Sequence, residues 1–489
     1  MLCHPPPRPR TTQRRTIALA ALVATTVPAA CGKTTGSGAS VDSGAADGTA
    51  SDDATASDAM ASGDATASGD AMASGDATAS DAPPSSDAPP SAEAADGDEQ
   101  ADRSPGATCA DARPQLSSSD ADRYTALAYL AQAGSLAAGL MTDNWDPTPG
   151  LGDPTSFTPT YTVAADGGPY PTVQSAIDAA VAREGGTGRV YILVSPGTYR
   201  ELVCVPANAP PITLYGTDPA TTVIAYDHFN GESTDSGAQN PCTATANATF
   251  GTAGSATFAA FANDFQASNI TFSNDVTVAT LGTTTGPQGV ALMTRADKIV
   301  LDHVRVTGHQ DTLYVETPNA GTVVRVYAKD SYVAGDVDFI FGGATTVLDG
   351  CEVHLVADRR TSGDALSPDT DARNPYGMLV VQGTFTADAN AAAGGFALGR
   401  AWDRSCVDIP TYLSTCVATG QYPNGQAVIR DSMLGGAVAA APWLPAATTK
   451  RPFCNTSWVC SADGGSAEAD VCPANRLYEY ENSGPGSAH

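Results

Sequence analysis

The sequence predicts an all-β protein, a parallel β-helix preceded by a short helical segment, on three observations. First, strand-like runs recur with an Asn or Asp set between two stretches, at Asn269, Asp302, Asp330, Asp349 and Asp431. An Asx residue at a repeated corner tolerates a left-handed backbone or caps the turn with its own side chain. Second, polar islands at Gln288, Gln310-Asp311 and Asp338 follow one another at intervals of 22 to 27 residues, about one coil of a β-solenoid. Third, tight hairpin signals are scarce, with Asn-Gly only at 230–231 and 424–425, whereas a β-sandwich expects many.

The chain reads as four regions. In residues 1–31, Arg8, Arg10, Arg14 and Arg15 precede an apolar run from Ile17 to Val27 that is too short to span a bilayer and ends at Cys31. That is the pattern of a signal peptide with Cys31 as its lipidation residue, which predicts a secreted or cell-surface, outer-membrane lipoprotein. Residues 32–106 are an Ala/Ser/Gly/Asp-rich linker whose 41–102 stretch has fifteen acids, no Lys or Arg and no aromatic residue. Such a stretch cannot bury enough apolar surface to offset its ordering entropy, so disorder is expected. Residues 107–160 form a helical extension, with one amphipathic helix predicted over Leu116–Leu140. The β-helix is expected over 161–489, with a second short helix at Thr172–Ala182.

Charge and cysteines narrow the function. Of the net charge of −28, about −19 lies from Ala107 onward, a surface unsuited to nucleic acid. Eleven cysteines are ordinary for a secreted chain, and proximity suggests Cys204 with Cys242, Cys406 with Cys416, and a pair among Cys454, Cys460 and Cys472. No Cys-x-x-Cys pair suggests zinc, and the chain has no G-x-S-x-G elbow, H-E-x-x-H helix, phosphate loop or dinucleotide fingerprint. His309, beside Gln310-Asp311, reads as a packing histidine. A monomer working without cofactor or metal is expected.

What remains is carboxylate chemistry. With Asp311 and Asp338 one coil apart, two negative charges about 5 Å from each other repel by roughly 3 kcal/mol, or about 2 pK units. One carboxyl is pushed toward its protonated form, and a bidentate fork from Arg400 would keep Asp338 ionised. The pair then divides into a nucleophile, Asp338, and an acid, Asp311. A structural ladder accounts for any one such residue. Four islands, each beside Phe, Leu or Trp, point instead to a site.

The blocks Gln288-Gly289-Val290-Ala291-Leu292, Gln310-Asp311-Thr312-Leu313, Asp338-Phe339-Ile340-Phe341-Gly342 and Leu398-Gly399-Arg400-Ala401-Trp402 resemble the signature blocks of the pectin methylesterases, and Gly197-Thr198-Tyr199-Arg200-Glu201 resembles their upstream block. The resemblance implies a right-handed parallel β-helix of the pectin lyase-like kind and hydrolysis of galacturonate methyl esters in pectin. It implies attack by Asp338, proton transfer by Asp311, an oxyanion held by Gln288 and Gln310, and Arg400 orienting Asp338. Trp402 would stack on a sugar, with Phe341, Tyr314 and Val337 as subsite walls. Two departures stand out: Gly289 replaces the usual Ala, which is expected to loosen that strand, and the inserts His228–Ala253 and Arg359–Tyr376 fall where loops would border the cleft. The rival readings are an acyl thioesterase on the same scaffold and a surface solenoid that binds polysaccharide without catalysis.

Overall fold

The computed structural model describes residues 113–183, 188–404, 423–447, 449–453 and 474–488. The expected leader with Cys31, the expected linker, and the pairings expected of Cys406, Cys416, Cys454, Cys460 and Cys472 lie outside the described residues. The rest winds into a right-handed parallel β-helix of three sheets, with ten, eight and eight described strands. Each coil contributes a strand to each sheet in turn, so residues one coil apart become neighbours about 5 Å from each other.

Side-chain alternation builds the core. In the second eight-stranded sheet, Phe258, Leu292, Leu313, Ile340 and Leu366 stack in register and are at most 1% exposed. Burial of each stabilises the fold by about 1.5–3 kcal/mol. The alternate positions Met293, Tyr314, Phe341, Ser367 and Arg400 form the opposite column. That column carries the chemistry described below.

After successive strands of the ten-stranded sheet the chain turns through a left-handed residue: Asn269, His303, Asp330, Gly350, Gln382, Asp431 and Glu481 all have φ between 44° and 66°. The corners are where the Asx pattern predicts them, with a slip at two. At Asp302 and Asp349 the Asp ends the strand and the next residue, His303 or Gly350, takes the positive φ.

The predicted helix over Leu116–Leu140 is instead two short helices, Ser118–Ala121 and Ala126–Leu130, followed by strands Gln132–Ser135 and Met141–Thr142. Thr125 restarts the helix by capping Ala128 N, and Gly134 and Gly139, at φ 111° and 87°, bend the chain out of it. The apolar spacing is used all the same. Leu116, Tyr124, Tyr129 and Leu130 cover the outer face of the ten-stranded sheet over Tyr327, Val347, Leu379, Val428 and Tyr478. The second helix, Val173–Val181, forms as predicted with a Thr172–Ser175 capping box, and buries Val173, Ala176, Ile177 and Ala180 against the first coil.

Of the two inserts, His228–Ala253 is largely irregular and is tied down by the Cys204–Cys242 disulfide. Arg359–Tyr376 is not merely a loop. Gly363–Pro368 within it is a full strand, paired with Ile340–Gly342 on one side and Phe396–Arg400 on the other.

Candidate active site

The register that aligns the core also aligns the acids. Leu313 faces Ile340 and Ile340 faces Leu366, so two residues upstream Asp311, Asp338 and Asp364 fall in one row on consecutive coils. Asp311 and Asp338 both hold positive φ, 64° and 45°, at the turn into their strands. Asp is among the residue types that accept this conformation, and such strain gathers at functional sites. Val337 joins the coils there: its carbonyl accepts from Asp311 N at 3.1 Å, and it bridges Gln310.

Arg400 grips Asp338, the contact supposed in the charge argument. Its Nε donates to Oδ1 at 3.0 Å and its Nη2 to Oδ2 at 2.6 Å, a bidentate fork. Burial by itself would raise the Asp338 carboxyl. The Arg400 charge and hydrogen bonds, joined by those from Asp364 and Ser367, outweigh burial and hold the carboxyl below its ordinary range. Asp338 is therefore an ionised, largely buried carboxylate with a fixed plane, a state suited to nucleophilic attack.

Asp364 is a residue that the sequence reading missed. It is 5% exposed, its Oδ1 accepts from Asp338 N at 2.9 Å, and its Oδ2 lies 3.6 Å from Arg400 Nε. Burial, then the negative charge of Asp338, push it well above the carboxylate range. The like-charge argument thus acts on the Asp338–Asp364 pair. A signal was available: the interval from Asp311 to Asp338, repeated almost unchanged, lands on Asp364.

Gln288, Gln310, Asp311, Asp338, Phe341, Arg400 and Trp402 line one cavity of about 50 Å³, together with Thr252, Ser367 and Ala447. Tyr314 and Val337 are not among its lining residues. Tyr314 is stacked on Phe341 at 4.2 Å between ring centroids and 12° between planes, and Trp402 stands 5.7 Å from Phe341 at 59°. Gln288 is oriented from the His228–Ala253 insert: Asn230 Nδ2 donates to its Oε1 at 2.8 Å, and Asn230 N to its carbonyl, also at 2.8 Å. With Oε1 engaged, the amide NH₂ is the end left to donate into the cavity. Gly289 precedes the strand Leu292–Thr294 rather than lying within it. A Cβ there would come within 2.9 Å of Asn274 Oδ1, so the glycine makes room for a buried carboxamide that holds the carbonyls of His228 and Val290.

Behind Trp402, Arg404 lies 4.5 Å from the indole ring and is clamped by Glu316 and Asp369. These two acids and the arginine border a larger cavity of about 280 Å³. The smaller cavity holds Asp338, its Arg400 counter-ion and the amides of Gln288 and Gln310, and chemistry rather than volume singles it out as the candidate site. His309 contacts Asp358 at 3.1 Å and does not line that cavity.

The family model described as Pectinesterase matches residues 160–422. A pectinesterase of Ralstonia solanacearum is 44% identical over 391 residues, covering 78% of this chain and 93% of the relative. Among solved structures, the rice weevil pectin methyl esterase superposes with a TM-score of 0.64 at 30% identity, over 79% of this chain and all of the weevil chain. Escherichia coli YbhC, named as a candidate acyl-CoA thioester hydrolase, is 31% identical over 412 residues, 77% of this chain and 89% of that one, and its structure superposes with a TM-score of 0.63. With the matching fold, the matched family model and a relative this similar over most of both chains, this chain belongs to the pectinesterase family.

Proposed function

We propose that this enzyme removes methyl groups from galacturonate esters in pectin by covalent catalysis at Asp338. The observation that carries the reading is the Arg400 fork on Asp338 in a cavity also lined by Gln288, Gln310 and Asp311. Asp338 attacks the ester carbonyl carbon, and the carbonyl oxygen, now negative, takes hydrogen bonds from the amides of Gln288 and Gln310. As the C–OCH₃ bond breaks, protonated Asp311 gives its proton to the departing methoxide and methanol leaves. Water then attacks the resulting acyl anhydride, Asp311 takes one of the water's protons, and Asp338 departs as a carboxylate beside a galacturonic acid, which loses its proton to solvent. Trp402 and Phe341 supply apolar walls suited to stacking on sugar rings.

Methanol release from highly methylated pectin across pH 4–9 tests the reading, with acyl-CoA thioesters run in parallel. No methanol at any pH sinks it. Thioester turnover above that on pectin selects the second reading, a thioester hydrolase, which the likeness to YbhC favours. Asn230→Ala, which releases Gln288, should lower kcat by about tenfold with KM little changed, because the amide acts on the oxyanion rather than the ground state. Initial rates over a pectin series check this.

The leader and linker extend the proposal to place. We infer a monomeric enzyme exported and tethered through lipidated Cys31, with residues 32–106 as the spacer that lets it reach cell-wall pectin. Metabolic labelling with a fatty-acid analogue, lost on Cys31→Ser, is the expected result. Unlabelled wild-type protein would refute the anchor.

A further inference from the structure

The buried charges around Asp338 do not balance unless one of them carries a proton. On the strand following Asp338, Asp364 shares a hydrogen bond with the Asp338 carboxyl and also accepts from its backbone N–H. On the strand beyond stands Arg400, the cation ion-paired with Asp364 among the described residues, and its fork is already committed to Asp338. From the preceding turn comes Asp336, fully buried, whose carboxylate is neutralised by its own fork from Arg359 at 2.8 Å on both oxygens. One guanidinium thus serves two largely buried acids.

We infer that Asp364 is a positioning residue for the proposed nucleophile: it holds a proton on the bond it shares with Asp338, fixes the plane of the attacking carboxylate and sets the alkaline limit of the reaction. This rests on the reading of Asp338 as nucleophile. Burial and the Asp338 charge both favour the protonated form of Asp364. When Asp364 loses that proton at high pH, two adjacent carboxylates repel and compete for Arg400, and Asp338 swings off the line of attack. No proton is transferred to substrate by Asp364. It supplies one constant donor that Asn can imitate without ionising.

Two variants and two readouts test this. Folded Asp364 keeps its proton at pH values where an unfolded aspartate, with a pKa of about 3.9, has lost it. Unfolding therefore releases a proton and is favoured by rising pH, an effect Asp364→Asn abolishes. The Tm of Asp364→Asn minus that of wild type should grow as the pH is raised from 5 and level off only where folded Asp364 itself ionises, and a difference flat from pH 5 upward overturns the proton assignment. In pectin turnover, the alkaline limb of kcat for Asp364→Asn should move up by about one pH unit or more, and Asp364→Ala should lose about a hundredfold in kcat with KM within about twofold. A rising Tm difference with a pH–rate profile identical to wild type makes the buried proton structural only and overturns the positioning role. Inactive wild type refutes instead the functional reading, and the melting series still decides whether Asp364 holds the proton.

Discussion

Asp338→Asn should abolish methanol release, by about four orders of magnitude or more, while leaving a folded protein. The loss is that large because Asp338 is the cavity carboxylate whose plane the Arg400 fork fixes. The fold survives for two reasons. Asn is among the residue types most tolerant of the left-handed backbone at this position, φ 45°. And Arg400 need not be left without a counter-charge: with the Asp338 charge gone, Asp364, its Oδ2 already 3.6 Å from Arg400 Nε, ionises in its place. Thermal melting should therefore fall by only a few degrees, far less than the several kcal/mol that an uncompensated buried charge costs. Turnover near the wild-type rate would show that another residue attacks the ester.

Arg400→Lys should produce the second largest effect. Lysine keeps the charge but cannot donate two parallel hydrogen bonds to one carboxylate, so the plane of Asp338 is no longer fixed. The Asp338 carboxyl is held low against burial chiefly by the Arg400 charge and its hydrogen bonds. Weakening them lets its pKa rise, and the ionised fraction needed for attack is then reached only at higher pH. A loss of about a hundredfold in kcat is expected, with the acid limb of the pH–rate profile moved upward. A profile with the wild-type acid limb would mean that Arg400 does not set the ionisation of Asp338.

Much of this site is legible in the sequence, because a β-helix converts sequence interval into spatial adjacency. The inward column through Leu313 and Ile340 carries Asp311 and Asp338 into one row, and the interval between them is the coil length. Asp364 was hidden by composition. The run Asp358-Arg359-Arg360-Thr361-Ser362-Gly363 is polar and glycine-bearing, which reads as loop, and the strand it leads into owes its pairing to neighbours on both sides rather than to its own propensity. Asn230 was beyond reach for another reason. It comes to Gln288 from an irregular insert across 58 residues of sequence, where no periodicity applies. The Leu116–Leu140 error is the converse case: helical spacing was real, but Gly134 and Gly139 turn the chain, and the apolar residues serve to cover a sheet. Where local pattern and tertiary pairing agree the sequence speaks clearly, and where pairing overrides propensity it does not.

The most direct test of the central claim, that Asp338 is the nucleophile, is a rapid acid quench of wild-type enzyme mixed with a short methyl-esterified oligogalacturonide, followed by peptide mass spectrometry. Covalent catalysis predicts a burst of methanol matched by a galacturonyl adduct on the peptide containing Asp338, absent from Asp338→Asn. An adduct on a different residue, or a methanol burst with Asp338 unmodified throughout, would contradict it.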